Sequence, residues 1–139
     1  VVVPSPPVCR HFLVVTSTSV DVTSYNIPGT ASAITRPVPV TTIDRFAADE
    51  GLQRLDFIKM DVQGWEMRIL EGGAETITRY RPVMVVELVD EQLLQIGDSL
   101  QAAWELLESW GYRAAICIDG KDLTPLEAPR DGDIFWLPD

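Results

Sequence analysis

The chain has 139 residues, 46% of them hydrophobic and 23% charged, which is enough for one soluble domain with a single core. Its net charge of −10 excludes nucleic acid and anionic membrane surfaces as natural partners, because both require clustered Lys and Arg. Two cysteines, Cys9 and Cys117, and one histidine, His11, are too few for a zinc site or a Cys–His nucleophile pair. Cys117 lies in an apolar run and reads as a buried free thiol.

Residues 1–10 are proline-rich and read as extended chain. "HFLVVTSTSVDVTSYNI" reads as two short strands around a polar turn near Ser17–Ser19. "PGTASAITRPVPV" is a loop, since Pro28-Gly29, Pro37 and Pro39 break any ladder. This first region, 1–40, is a proline-rich start, a hairpin and a loop. It lacks the basic head of a signal peptide, and no run approaches the ~20 apolar residues of a membrane span, so a cytoplasmic protein is expected.

From 41 to 139 the pattern alternates. "TTIDRFAADEG" carries a Thr N-cap candidate and Gly51 as a stop, which predicts a short helix. "LDFIKMDV" is a strand by length and apolarity, and Gly64 allows a turn. "WEMRILEGGAETITRY" has Trp65, Ile69, Leu70 and Ile77 on roughly one face of a helix. Gly72-Gly73, costing about 2 kcal/mol relative to alanine, kinks or splits it. "RPVMVVELV" is a strand, and "SLQAAWELLESWGY" a helix capped by Gly111. "YRAAICI" and "DIFWLP" are strands joined by a turn at "DGKD". The order predicts βαβ units, a parallel sheet covered on both faces, and the last two strands antiparallel at one edge. The fold class is α/β.

In such sheets, ligands bind beyond the carboxyl ends of the strands. Asp61 and Glu87 occupy those ends, and Glu66 opens the helix after the glycine turn. Together they could take a substrate proton, hold a hydroxyl or bind an oxygen-ligated metal such as Mg²⁺ or Ca²⁺. Each also has a purely structural reading. Glu66 suits a helix dipole, Asp61 could cap the helix or pair with Lys59, and Glu87 could be solvated. Lys59 could extend to solvent, and Trp65 could form a crevice wall beside the turn.

The segment "TTIDRF…LDFIKMDVQGWEMRILEGGAETITRYRPVMVVEL" resembles the FkbM-type methyltransferases. The residues that carry the likeness are Thr42, Ile43 and Asp44; Ile58, Lys59, Met60, Asp61, Val62 and Gly64; Leu70, Gly73 and Ala74; and Arg81, Pro82 and Glu87. "LLESWGYRAAICI" and "DIFWLP" are similar to the family's closing strands, so the likeness covers roughly 40–139. It implies a Rossmann-like methyltransferase sheet, mostly parallel with an antiparallel last strand. It also implies S-adenosylmethionine as methyl donor and a hydroxyl of a small molecule or sugar as acceptor. Asp61 would then serve the acceptor hydroxyl as a catalytic residue, with Glu87 and Glu66 as further candidates; Lys59, Gln63, Gly64 and Trp65 would bind substrate.

Two departures stand out. Gln63 occupies a position where the family mostly carries Glu. No G-x-G pattern precedes Lys59, so the chain reads as the C-terminal part of the domain, truncated before the first strands and the cofactor loop, and no cofactor-binding residue is assigned. The strand at 55–62 would lose its usual neighbour. Its edge should then be covered by the N-terminal hairpin or by a second copy of the chain in a homo-oligomer. The reading from another class is a non-catalytic remnant that acts as an oligomerisation or interaction module.

Overall fold

The computed structural model describes residues 12–16, 40–118 and 120–139. The proline-rich start, the second half of the expected hairpin, nearly all of the loop after it, Cys9 and His11 lie outside the described residues. Within them, six strands form one sheet in the order β1-β2-β3-β6-β4-β5. These are β1 (Phe12–Thr16), β2 (Phe57–Asp61), β3 (Val83–Leu88), β4 (Tyr112–Cys117), β5 (Leu123–Pro125) and β6 (Gly132–Pro138). β1, β2 and β3 are parallel neighbours, while β6 is antiparallel to both β3 and β4.

Two features of the expected sheet need correction. The final strand does not lie at the edge: β6 inserts between β3 and β4, and the short unexpected β5 is the edge strand. The second concerns the two faces. Ile58 and Met60 of β2, Met84 and Val86 of β3, Ile134 and Trp136 of β6 share one core cluster with every helix that buries a large apolar side chain. No described helix packs on the opposite face, where Phe57, Val83, Phe135 and Leu137 are half-buried. Right-handed crossovers explain this. The steps β2 to β3 and β3 to β4 move across the sheet in one direction, so both deposit helices on the same face.

The edge of β2 away from β3 is paired: β1 runs parallel to it, with Phe12 level with Phe57 and Thr16 with Asp61. β1 thus occupies the side on which the strand at 55–62 was expected to be open. This pairing belongs to the first strand of the expected hairpin.

Five helices complete the described chain: α1 (Ile43–Asp49), α2 (Glu66–Glu71), α3 (Ala74–Tyr80), α4 (Asp90–Gln95) and α5 (Leu100–Ser109). Thr42 caps α1 through its side chain, and Ser99 caps α5 in the same way. The glycine pair splits α2 from α3, and the packing shows why small residues stand there. A Cβ on Gly73 would lie 3.0 Å from Ile43 Cβ, and one on Gly72 3.1 Å from a Thr42 methyl. With that close approach, Asp44 reaches the start of α3 and accepts from the amides of Glu75 (3.2 Å) and Thr76 (2.7 Å). Thr42-Ile43-Asp44 is therefore a clamp: it caps its own helix and, from a distance, α3.

Arg81-Pro82 has a comparable role at the other end of the sheet. Arg81, at φ +53°, donates to the carbonyls of Trp110 and Gly111 and lies 4.9 Å over the Tyr112 ring. Tyr112 in turn donates 3.0 Å to the Pro82 carbonyl, and burial pushes its phenol up to about 12. These contacts pin the turn between α5 and β4 against the start of β3. Cys117, expected to be buried, is a free thiol only half-buried, because it falls at the fraying end of β4 beside a short edge strand.

Candidate active site

β2 ends at Asp61, and the chain must turn within four residues to start α2. Gln63 takes φ +53° and Gly64 φ +102° to do so. For a glutamine this left-handed conformation costs on the order of 1 kcal/mol, so the surroundings must hold it. Two contacts do. Glu66, 1% exposed, folds back so that its two oxygens accept from the amides of Val62 (3.1 Å) and Gly64 (2.9 Å). On the other side, Gly64 presses against α4, where a Cβ would stand 2.6 Å from the Gln92 carbonyl oxygen. Only glycine fits this approach.

The turn aims Gln63 across the ends of the strands. Its amide donates to Asp61 Oδ1 at 3.0 Å and to Glu87 Oε2 at 3.3 Å. Gln92 of α4 donates 3.2 Å to the Gln63 carbonyl oxygen. Met60 is level with Val86, so Asp61 and Glu87 come next along the same register. Glu87 is level with Asp133 of β6. Three carboxylates from three adjacent strands thus form a row on the sheet face away from the helices. Lys59, one step back on that face, pairs with Asp133 at 2.6 Å.

The row is electrostatically divided. Asp61 is held below the ordinary carboxylate range, first by the Gln63 amide, then by its hydrogen bond with Glu87, with Lys59 adding to it against a burial penalty. Glu87 is pushed above that range by its hydrogen bond with Asp61, by burial, and by the charges of Asp61 and Asp133. The two carboxyls titrate as one unit, in which Asp61 favours its charged form and Glu87 its protonated form. Such a unit can accept a hydrogen bond from a hydroxyl at one oxygen and donate one from another. Glu66 also titrates above its ordinary range, because its burial outweighs the two backbone amides that favour its charge.

Of the residues singled out in the sequence, Asp61, Glu87, Lys59 and Gln63 come together, and Gly64 forms the turn beneath them. Glu66 and Trp65 point elsewhere. Glu66 braces the turn from within the core, and Trp65, 57% exposed, lines an apolar groove with Leu13, Val15, Phe46, Val62 and Ile69. That groove, about 670 Å³, lies on the helix-covered side, between β1, α1 and α2. Two members of the row were not foreseen. Asp133 is 74 residues from Lys59 and arrives only through the insertion of β6, and Gln92 sits on a six-residue helix too short to show a period. Among the described residues no group of three or more His, Cys, Asp or Glu side chains is arranged to hold a metal ion. No described helix is long and apolar enough to cross a membrane.

The sequence family adds the decisive finding. The model of the methyltransferase FkbM domain matches residues 9–114, more than half of the chain. The chain belongs to the FkbM methyltransferase family. Its α/β sheet of mixed parallel and antiparallel strands is consistent with a methyltransferase-like fold. This FkbM chain is also similar to a curated relative, the 2-O-methyltransferase NoeI of Sinorhizobium fredii (strain NBRC 101917 / NGR234). The two are 37% identical over 76 residues, which is 53% of this chain and 31% of that protein. The matched part thus spans under a third of the relative's length. No solved structure matches the chain.

Proposed function

We propose that this FkbM chain serves S-adenosylmethionine-dependent O-methylation of a hydroxyl on a small molecule or sugar, as the acceptor-side part of the site. The observation that carries the reading is the Asp61–Glu87 pair, bridged by Gln63, at the carboxyl ends of adjacent parallel strands. S-adenosylmethionine held beyond these strand ends would supply a methyl group to the hydroxyl oxygen and leave as S-adenosylhomocysteine. The chemistry of the donor set fits the reacting end of that group, since Asp61 offers a negative charge beside a sulfonium and an acceptor for a hydroxyl proton. The apolar groove offers no carboxylate among its described lining to hold a ribose, so the rest of the cofactor is given no residues here.

The chain's own residues have these roles. Asp61 accepts the hydroxyl hydrogen and fixes the direction of its oxygen. The Asp61–Glu87 unit takes up the proton as the oxygen loses it. Lys59 and Asp133 neutralise each other beneath the pair, so the lysine limits the repulsion among three carboxylates without repelling a cationic donor. Glu66 and Gly64 hold the turn.

Calorimetric titration with S-adenosylhomocysteine, followed by transfer of a labelled methyl group to a panel of sugars and small hydroxyl compounds, tests the reading. Binding near 10 µM corresponds to about −7 kcal/mol and supports it. Absence of binding at millimolar concentration overturns it.

One observation favours a second reading, a methyltransferase-like interaction module. The sheet face bearing Val83, Phe135 and Leu137 has no described helix against it, and apolar side chains in that position favour association. Under that reading the chain self-associates in sedimentation and fails to bind S-adenosylhomocysteine.

A further inference from the structure

Gln63 spends backbone strain to reach the two carboxylates, and a side chain that does so must also be told which way round to point. A glutamine amide has a donor end and an acceptor end of nearly equal size, and only the donor end suits Asp61 and Glu87. The two carboxyls favour that choice, and a side chain on another element reinforces it. Gln92 donates to the Gln63 carbonyl oxygen at 3.2 Å, which leaves the Gln63 nitrogen for Asp61 at 3.0 Å and Glu87 at 3.3 Å. The two segments are locked in this register because Gly64 lies against the Gln92 backbone, where even a Cβ would approach the carbonyl oxygen to 2.6 Å.

We propose that Gln92 is a positioning residue that acts through Gln63. It holds the Gln63 amide with its nitrogen towards Asp61 and Glu87, so that one donor bridges both carboxyls. The inference rests on the reading that this pair serves the acceptor hydroxyl, and it adds a residue outside the strand ends to that machinery. It also gives a physical reason for glutamine rather than glutamate at 63. A carboxylate there would add negative charge within hydrogen-bond distance of both carboxyls and could not donate to either.

The groups facing the pair are few enough to interpret a titration. Lys59 stands on β2, Asp133 on β6 and Gln92 on α4, while the buried Glu66 of α2 is close enough to Asp61 for their charges to repel. Lys59 is already paired with Asp133, so the donor most open to manipulation is the Gln63 amide and, behind it, Gln92.

The test uses the full chain without cofactor, with side-chain carboxyl ¹³C shifts followed across pH in the wild type, Gln92→Leu, Gln92→Glu, Gln63→Leu and the double variant Gln63→Leu/Gln92→Leu. Gln92→Leu releases the Gln63 amide, and the lower of the pair's two titration steps moves up towards the ordinary carboxylate range. Gln92→Glu is nearly isosteric but accepts where glutamine donated. It turns the Gln63 carbonyl towards the carboxylates and moves that step further up. In the background of Gln63→Leu, Gln92→Leu adds no further shift, because its effect passes through the missing amide. A contact that merely supports the fold would lower the melting temperature of Gln92→Leu and leave the carboxyl titration in place. An unchanged titration, or an equal shift with and without the Gln63 side chain, overturns the proposal. The readout needs no methyl donor. Failure to bind S-adenosylhomocysteine would therefore sink the functional reading alone, and an unchanged titration this inference alone.

Discussion

Alanine at Gly64 should be the most damaging single methyl group that can be added to the described glycines. Two costs combine there. At φ +102° an L side chain is strained, at roughly 1–2 kcal/mol. The new Cβ would also stand 2.6 Å from the Gln92 carbonyl oxygen and 2.9 Å from its carbon, about 0.8 Å inside ordinary contact with the oxygen. Neither atom can swing away, because both are backbone, so the turn or α4 must move, at a further cost of about 1–3 kcal/mol. The total, about 2–5 kcal/mol, corresponds to a melting temperature lower by roughly 6–15 °C for a domain of this size. Gly97 supplies the internal control. It has φ +86° with nothing within 4 Å of a Cβ, so Gly97→Ala reports the conformational cost without the clash. Urea denaturation of both variants separates the two contributions. Equal destabilisation by Gly64→Ala and Gly97→Ala, within about 0.5 kcal/mol, would refute the claim that the turn and α4 are pressed together.

Other consequences follow from the same contacts. Asp44→Ala removes the distant cap of α3 and should cost about 1–2 kcal/mol in chemical denaturation, whereas Asp44→Asn, which keeps an acceptor, should recover much of that loss. Arg81→Ala takes one donor from each of the Trp110 and Gly111 carbonyls, of which Gly111 keeps the Asp139 amide, and removes the cation over Tyr112; a loss of about 2–3 kcal/mol is expected, with Arg81→Lys only partly restoring it. Glu66 tests the pH dependence of stability. Its folded-state carboxyl titrates higher than its unfolded one, so the native state binds the extra proton and stability falls as pH rises through the window between them. Glu66→Gln should flatten that slope and also destabilise by about 1–3 kcal/mol at neutral pH, because an amide nitrogen replaces one acceptor of a buried N–H. An unchanged slope in the variant would show that another group is responsible.

Much of the framework was legible because local signals agreed with it. Thr42 and Ser99 cap the helices they precede, the glycine pair divides α2 from α3, and the apolar runs of β2, β3, β4 and β6 are strands. What the local pattern could not carry was the order of strands. Nothing in "DIFWLP" distinguishes an edge strand from one inserted between β3 and β4, since both bury an alternating Ile134 and Trp136. The site divided along the same line. Asp61, Glu87 and Gln63 are near one another in any sheet that pairs β2 with β3; the strand ends pointed to Asp61 and Glu87, and the family resemblance to Gln63. Asp133 needed the long-range topology, and Gln92 needed a helix of six residues that periodicity does not reveal. Glu66 is instructive in the opposite sense. Its place in the first helical turn suggested a helix-dipole acid or a reactive one, whereas its side chain turns back into the core and satisfies two amides of the loop before it. Sequence position set where its Cα lies, and the direction of the side chain came from two unpaired N–H groups that needed an acceptor.

The central claim is that the Asp61–Glu87 pair receives the acceptor's proton in a methyl transfer from S-adenosylmethionine. Its most direct test is single-turnover transfer of a labelled methyl group to a hydroxyl acceptor by the wild type, Asp61→Asn and Glu87→Gln, alongside S-adenosylhomocysteine affinity for each. Loss of a general base typically lowers the rate by about 10²–10⁴-fold. A fall of that order is expected for Asp61→Asn, a smaller one for Glu87→Gln, with S-adenosylhomocysteine binding kept within a few-fold in Glu87→Gln. Transfer at the wild-type rate by Asp61→Asn would contradict it.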